Sequence, residues 1–307
     1  MKRVLVTGGR GGIGRSITDA LRVLSNFRVI TLGRSDVPNA KEPDDTIHLQ
    51  GSVLDEVFLK ELLEQHLVTH IIHAAGARTS ECAADPLTGF EANVLGTDRV
   101  FRAARKCDSI EQVVHFSSAA IYGSHTERPD EAAPISPSSP YAVSKAAAEM
   151  SATGHSRAAS FSTVILRPAF VLGPHSTGTL SAFIQRAVEG FRTKLTFPEQ
   201  FFIHWAPDLA EMLITLLEAE QESKLEILHP PGTIIKLSDL VSILEQQCYE
   251  LGLEPSFEVY AEKNSPFPAQ LDCTKWMQTN GGVTPTQLSE VLRHLSKPAA
   301  LPDRQTS

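Results

Sequence analysis

Residues 3–14, Arg-Val-Leu-Val-Thr-Gly-Gly-Arg-Gly-Gly-Ile-Gly, decide the fold. Val4, Leu5 and Val6 form a β-branched, apolar run that stops at glycine, as a buried strand does at its C-terminal end. Behind it, Ile13, Ile17, Leu21 and Leu24 recur at spacings of four, four and three, which predicts a helix with one apolar face. Between the two lie Gly8, Gly11 and Gly14. In a strand–loop–helix setting the first permits a tight turn, the second lets backbone approach a pyrophosphate, and the third allows the helix to pack closely on the strand. The helix start then offers free N–H groups and a partial positive charge to an anion.

Outward from this loop the pattern repeats. RVITL at 28–32 predicts a second strand, 59–67 a helix, THIIH at 69–73 a strand, and 92–106 a helix carrying Val94, Val100, Phe101 and Ala104. QVVHFS at 112–117 and TVIL at 163–166 are further strands. Strands alternating with helices at this spacing predict an α/β chain, a doubly wound parallel sheet buried on both faces, with right-handed crossovers. Beyond Pro174 the alternation loosens; Ser238 and Thr286 are the expected caps of two further helices. The expected division is a dinucleotide-binding domain over 1–174, with more sheet and helix around 200–230. A smaller substrate-binding region would come from 175–199 and 230–295, followed by a mobile tail at 296–307.

Composition narrows the function classes. Of 307 residues 42% are hydrophobic and 21% charged, which excludes a disordered chain, and the net charge of −8 disfavours broad nucleic-acid or membrane surfaces. No apolar run reaches the ~18 residues of a membrane span, and the stretch after Met1-Lys2-Arg3 breaks at Gly8, too soon for a signal peptide. Cys82, Cys107, Cys248 and Cys273 are scattered, as expected of reduced thiols in a cytoplasmic protein. No metal site is expected: His66, His70 and His73 look clustered, but the last two fall on opposite faces of a strand.

Two groups of residues carry chemistry. NAD sites place a carboxylate at the end of the second strand, whereas this chain has Gly33-Arg34-Ser35 there. Arg34 can fork onto a 2′-phosphate, Ser35 can add a hydroxyl and Arg10 can reach the same group, so NADP is the expected cofactor, with NAD the alternative. Farther along, Tyr141 and Lys145 stand four apart at the start of a helical segment, after Ser117-Ser118 at the C-terminal end of a strand.

With these residues in place the chain resembles the extended short-chain dehydrogenase/reductases, in their epimerase/dehydratase branch. The motifs follow in family order: TGGRGGIG at 7–14, HAAG at 73–76, NVLGT at 93–97, SSAAIYG at 117–123, YAVSK at 141–145 and LRPAFVLGP at 166–174. Weaker landmarks, PDLA at 207–210 and LDCTK at 271–275, extend the likeness to about Leu295. The resemblance implies that Tyr141 is the general acid/base, that Lys145 stabilises its anion and binds the nicotinamide ribose, and that Ser118, rather than Ser117, polarises the substrate oxygen. For the cofactor it implies Gly8, Arg10, Gly11, Gly12, Ile13 and Gly14 in the loop, then Arg34, Ser35, Ser52 and Val53. It adds His73, Ala74, Ala75 and Gly76, then Asn93 and Ser117, and finally Pro168, Phe170 and Val171 beside Tyr141 and Lys145.

The departures bear on the substrate. Ala119 and Ala120 stand where dehydratases of the branch carry an Asp-Glu pair, which argues against 4,6-dehydration. Phe170 replaces the Asn of the R-P-x-N segment and Phe201 the Arg before the late Asp, both near the nucleotide in sugar-nucleotide enzymes. The expected activity is therefore an NADP(H)-dependent oxidoreductase acting on a ketone or secondary alcohol of a mid-sized, partly apolar small molecule. The alternative is a nucleotide-sugar 4-epimerase that retains bound NAD. Homodimerisation is carried as an open expectation.

Overall fold

The computed structural model describes residues 1–34, 46–123, 128–220, 223–262 and 267–295. Ser35 and the expected tail at 296–307 lie outside the described residues. The chain opens with β1 (Lys2–Thr7), α1 (Gly12–Arg22), β2 (Phe27–Gly33), β3 (Ile47–Gln50), α2 (Glu56–Gln65) and β4 (His70–His73). Two short helices, α3 (Thr79–Ala84) and α4 (Pro86–Phe90), lead into α5 (Gly96–Ala104) and β5 (Gln112–Phe116). Next come α6 (Pro140–Arg157), β6 (Ser162–Leu166), β7 (Phe170–Leu172), α7 (Thr179–Val188), β8 (Thr193–Pro198) and β9 (Gln200–Trp205). The remainder is α8 (Ala206–Glu218), β10 (Leu225–Leu228), β11 (Thr233–Lys236), α9 (Leu237–Glu250), β12 (Phe257–Glu262), α10 (Thr274–Asn280) and α11 (Leu288–Leu295).

Seven strands form one parallel sheet in the order β10-β6-β5-β4-β1-β2-β3. The period of two distributes its side chains to two cores. Val4, Val6, Ile72 and Val114 pack with Ile17 and Leu21 of α1 and Leu209, Leu213 and Leu216 of α8. Leu5, Ile71 and Val113 pack on the opposite face with Leu59 and Leu63 of α2 and Val100 and Phe101 of α5. The chain leaves β1 toward β2 and β3 on one side and returns to β4 on the other, so the sheet has its switch point between β1 and β4. Ligands of open α/β sheets bind outside the strand ends at such a point.

A second body stands beyond those strand ends. It holds the sheets β11-β9-β7 and β12-β8, and α7, α9 and α11 share an apolar core with them through Leu180, Ile184, Leu195, Ile203, Leu240 and Val291.

Three local expectations are corrected. The segment expected as one helix over 92–106 begins with a π-helical turn, Glu91–Leu95, before α5. Ser238 is inside α9, whose cap is Lys236. Thr286 stands one residue before the cap position, since α11 begins at Leu288, and its N–H and hydroxyl both donate to the carboxylate of Asp208, at 2.8 and 2.7 Å. Among the described residues no helix is long and apolar enough to cross a membrane.

Candidate active site

The floor of the site is the glycine loop at the switch point, where Thr7 of β1 and His73 of β4 are paired. Gly8 has φ +70°, and a Cβ there would lie 2.8 Å from the backbone nitrogen of Ala75; one at Gly14 would lie 2.2 Å from Gly8 O. Neither position admits a side chain, which keeps β1, α1 and the segment after β4 in close contact. The α1 cap, Gly11, contributes no side-chain hydrogen bond, so the first-turn N–H groups keep their capacity for an anion. This bare cradle fits a dinucleotide pyrophosphate.

Arg10 lies along the end of β2: a Cβ on Gly33 would come 4.0 Å from Arg10 Cδ. Arg34 follows directly, exposed, with its carbonyl accepting from Gln50 Nε2 at 3.2 Å. Two guanidinium-bearing residues thus share the strand end where the adenosine ribose of a dinucleotide lies in such folds. Ser52 and Val53 follow β3 at the same sheet edge, outside the main cleft; Ser52 Oγ accepts from Leu54 N at 3.2 Å, and Val53 packs beside Gly96.

The cleft above the loop has a volume of about 690 Å³. Ile13, Ala74, Ala75, Gly76, Asn93 and Ser117 line one side, and Pro168, Phe170 and Val171 the other. His73 is different. Its ring is buried in the sheet, with Nδ1 at 2.8 Å from Thr7 Oγ1 and Nε2 at 3.1 Å from Thr97 Oγ1. Burial, with Lys145 nearby, lowers its pKa to about 3. Its buried ring ties β1 and β4 to the helix through Thr97 and is not part of the cleft lining.

Ser118, Tyr141 and Lys145, the trio expected to be catalytic, come together in the cleft. Ser139 caps α6, accepting from Ala142 N at 3.2 Å, and Pro140 occupies the first turn; both are strong helix-start signals. Tyr141, Lys145 and Glu149 then fall on one helix face at spacings of four. Ser118, in extended backbone at the end of β5, lines the cleft with Tyr141, whose burial-raised pKa its hydroxyl pulls down, and its Oγ accepts from Ala120 N at 3.2 Å. Ser117 Oγ has no partner, so of the two serines Ser118 is the one that meets Tyr141. Lys145 Nζ donates to Phe116 O.

Electrostatics at the trio follow burial. Burial raises the Tyr141 pKa; the Ser118 hydrogen bond opposes that shift, while Cys82 adds to it. Burial also pulls Lys145 down to about 8, against the favourable charge of Glu149 one turn along. In the protein alone at neutral pH, Tyr141 is therefore a phenol and Lys145 is mainly an ammonium. Asn93, on the π-helical turn, accepts from Ala77 N at 2.7 Å and donates to Ser144 Oγ at 2.8 Å. It braces the cleft floor against α6.

Sequence reasoning missed part of the lining. Arg78, Thr179, Leu180, Thr196, Glu262 and Phe267 all face the cleft. Thr179 follows Gly178, a helix-start signal, but nothing local marks Glu262 or Phe267, which reach the cleft through long-range pairing of β12 with β8 and the chain that follows.

The family model for the NAD dependent epimerase/dehydratase family matches residues 4–227. The human dTDP-D-glucose 4,6-dehydratase is 28% identical over 239 residues, 71% of this chain and 66% of that protein. The chain thus spans just under two thirds of that relative's length. A Stigmatella aurantiaca 4-hydroxy-2-methyl-3-oxo-4-farnesyl-3,4-dihydroquinoline-1-oxide ketoreductase is 32% identical over 62% of this chain and 56% of its own; UDP-glucose 4-epimerases match at 29–31%. Among solved structures, the Bacillus cereus UDP-glucuronic acid 4-epimerase in complex with UDP-glucuronic acid and NAD superposes with a TM-score of 0.83 at 19% identity. The match covers 96% of this chain and 98% of that one, a likeness of fold.

Proposed function

This chain belongs to the NAD dependent epimerase/dehydratase family, and we propose that it is an oxidoreductase, reducing a ketone or oxidising a secondary alcohol with net turnover of NADP(H). The observation that carries this reading is the largely apolar lining of the cleft at the sheet's switch point in which Ser118, Tyr141 and Lys145 meet. A nicotinamide dinucleotide bound along the glycine loop would supply or accept the hydride. Tyr141 gives its proton to the substrate oxygen in reduction and recovers it in oxidation. Lys145 holds positive charge one turn away and favours the phenolate that reduction leaves behind. Ser118 hydrogen-bonds the same substrate oxygen. Since burial keeps Tyr141 protonated, the resting site is already in the state that reduction needs.

Ala119 and Ala120 are both fully buried and offer no proton donor or acceptor, which counts against dehydration despite the dehydratase relatives. The arginines at the end of β2 support NADP over NAD. A second reading, a nucleotide-sugar 4-epimerase retaining NAD, is favoured by the relatives: UDP-glucose 4-epimerases recur among them and solved neighbours hold NAD with UDP-sugars. The comparisons fit this alternative better than net reduction. The cleft supports the first reading, because its charged lining among the described residues is Arg78, Lys145 and Glu262. Lys145 belongs to the catalytic trio and Arg78 is tied to Glu81 and Thr177. A diphosphate needs cations or aligned donors to offset its desolvation.

Cofactor analysis of the purified protein, followed by turnover, separates the two. Release of an exchangeable cofactor and stoichiometric NADPH consumption with a ketone is the expected result. Tightly retained NAD with interconversion of UDP-glucose and UDP-galactose would replace the proposal by the alternative.

A further inference from the structure

The wall facing the catalytic trio is built of rings. Phe170 stands between Phe267, at a centroid distance of 4.3 Å, and Phe197, at 4.7 Å, with Phe201 edge-on at 6.0 Å. Three strands and a loop supply these residues: β7 gives Phe170, β8 Phe197, β9 Phe201, and the segment after β12 gives Phe267. Phe197, Phe201 and Phe267 are almost entirely covered, while Phe170 is only half-buried and keeps surface toward the cleft. The wall reaches the reacting centre, because Phe267 packs in one cluster with Tyr141, Ala142 and Ala120. Leu180 and Pro198 line the same cleft.

We propose that this wall selects a substrate with a neutral aromatic ring next to the reacting carbon, seated on Phe170, and that Phe170 is the specificity-determining residue. The proposal deepens the oxidoreductase reading and rests on it. Offset or tilted ring pairs at about 4.5–7 Å gain more than their buried area alone, and the Phe170–Phe197 and Phe170–Phe201 pairs, at 4.7 and 6.0 Å, already hold that geometry. A planar guest on the exposed part of Phe170 would add one more tilted or edge-on ring to the cluster. The same ring gives an anionic group no hydrogen bond, and Glu262 is the charged side chain on the second body's side of the cleft among the described residues. An anion seated there would meet an apolar face and a like charge.

The test compares two neutral ketones of nearly equal size, acetophenone and cyclohexyl methyl ketone, with UDP as a third probe. Binding to the full-length protein with NADP is measured by calorimetry, and reduction is followed at the NADPH absorbance. The expected result is a three- to tenfold tighter binding of acetophenone. That preference should fall to parity in Phe170→Leu, which keeps apolar bulk and removes the ring, and UDP should not compete. An unchanged circular dichroism spectrum and thermal midpoint in Phe170→Leu confirm an intact fold; if that variant misfolds, Phe170→Met replaces it. Equal affinity for the two ketones in the unmodified protein, with both reduced, overturns the wall and leaves the oxidoreductase reading standing. An aromatic preference that disappears with the ring, without reduction of either ketone, upholds the wall and sinks that reading. Competition by UDP overturns both.

Discussion

Arg167 and Glu149 form a buried ion pair whose removal can be weighed from the structure. Their side chains are 6% and 8% exposed. Arg167 Nε donates to both Glu149 oxygens, at 3.2 and 3.0 Å, and a further guanidinium nitrogen donates to Oε1. The remaining one donates to Tyr122 Oη and, at 2.9 Å, to Glu131 O. Tyr122 in turn pairs with His229 Nε2 at 2.7 Å. The network joins α6, the turn after Ser118, the loop before Ser139 and the end of β10. Replacing Arg167 by Met keeps volume and strands the Glu149 carboxylate in a dry site, a loss of about 3–5 kcal/mol. Glu149→Leu strands the guanidinium at a similar cost. The double variant removes both charges, and such replacements are often neutral, so it should lie within about 1–2 kcal/mol of the parent. The cycle therefore predicts a coupling of about 4 kcal/mol or more, against about 0.3–0.5 for independent sites. Urea unfolding followed by circular dichroism reads it: at a slope near 3 kcal/mol/M, each single variant loses about 1 M or more in midpoint. Single losses below about 1 kcal/mol, or an additive double variant, would refute the claim that this pair is desolvated and mutually dependent.

Tyr141→Phe keeps the ring and deletes the proton donor, so turnover should fall by about 10² to 10⁴-fold while NADP affinity stays within a few-fold; steady-state rates and calorimetry check both. Arg34→Ala should weaken NADPH by about 10- to 150-fold, the value of a charge-assisted contact, and NADH much less; equal losses would show that Arg34 does not read a 2′-phosphate. His73 and His204 are buried with pKa values lowered to about 3 and about 4 by desolvation. Each is neutral when folded and gains a proton on unfolding below about pH 6.5, so stability present above that value is lost as pH falls toward 4. At pH 5 the loss is about 2 kcal/mol per histidine, read as a lower urea midpoint than at pH 7; an unchanged midpoint would count against it.

How much of this was legible depended on whether a feature was local. The glycine loop, the strands through Ile71, Val113 and Ile165, and the Tyr141–Lys145 spacing each declare themselves within a few residues, because a buried strand or helix face imposes its period on the chain. β3 escaped notice because Ile47–Gln50 is an edge strand with a half-exposed pattern. The second body escaped because its pairings are non-local: β8 finds β12, and β9 lies between β7 and β11. The π-helical turn at Asn93 carries no periodic signal, since one extra residue in a turn shifts the register only once. Arg167 did leave a trace, a charge directly after the apolar run Thr163–Leu166, but nothing in the sequence says that Glu149 and Tyr122 wait for it.

The difference between net reduction and epimerisation lies in what holds the cofactor, since Ser118, Tyr141 and Lys145 serve both. Residues 174–178 cross the glycine loop, and a Cβ on Gly12 would sit 3.0 Å from Ser176 Cα. Two polar contacts fasten this strap: His175 Nε2 to Asp19 at 3.3 Å, and Arg78 to Thr177 Oγ1 at 2.6 Å. Both are partly or largely exposed, and exposed pairs are worth about 0–1 kcal/mol. Burial further lowers the His175 pKa, with Arg15 acting in the same direction, against Asp19; the first contact is therefore mainly a hydrogen bond at neutral pH rather than an ion pair. A strap held this weakly opens at little cost. Net turnover of NADP(H), as proposed, requires such opening at each cycle, so fastening the strap should slow cofactor exchange before it slows chemistry.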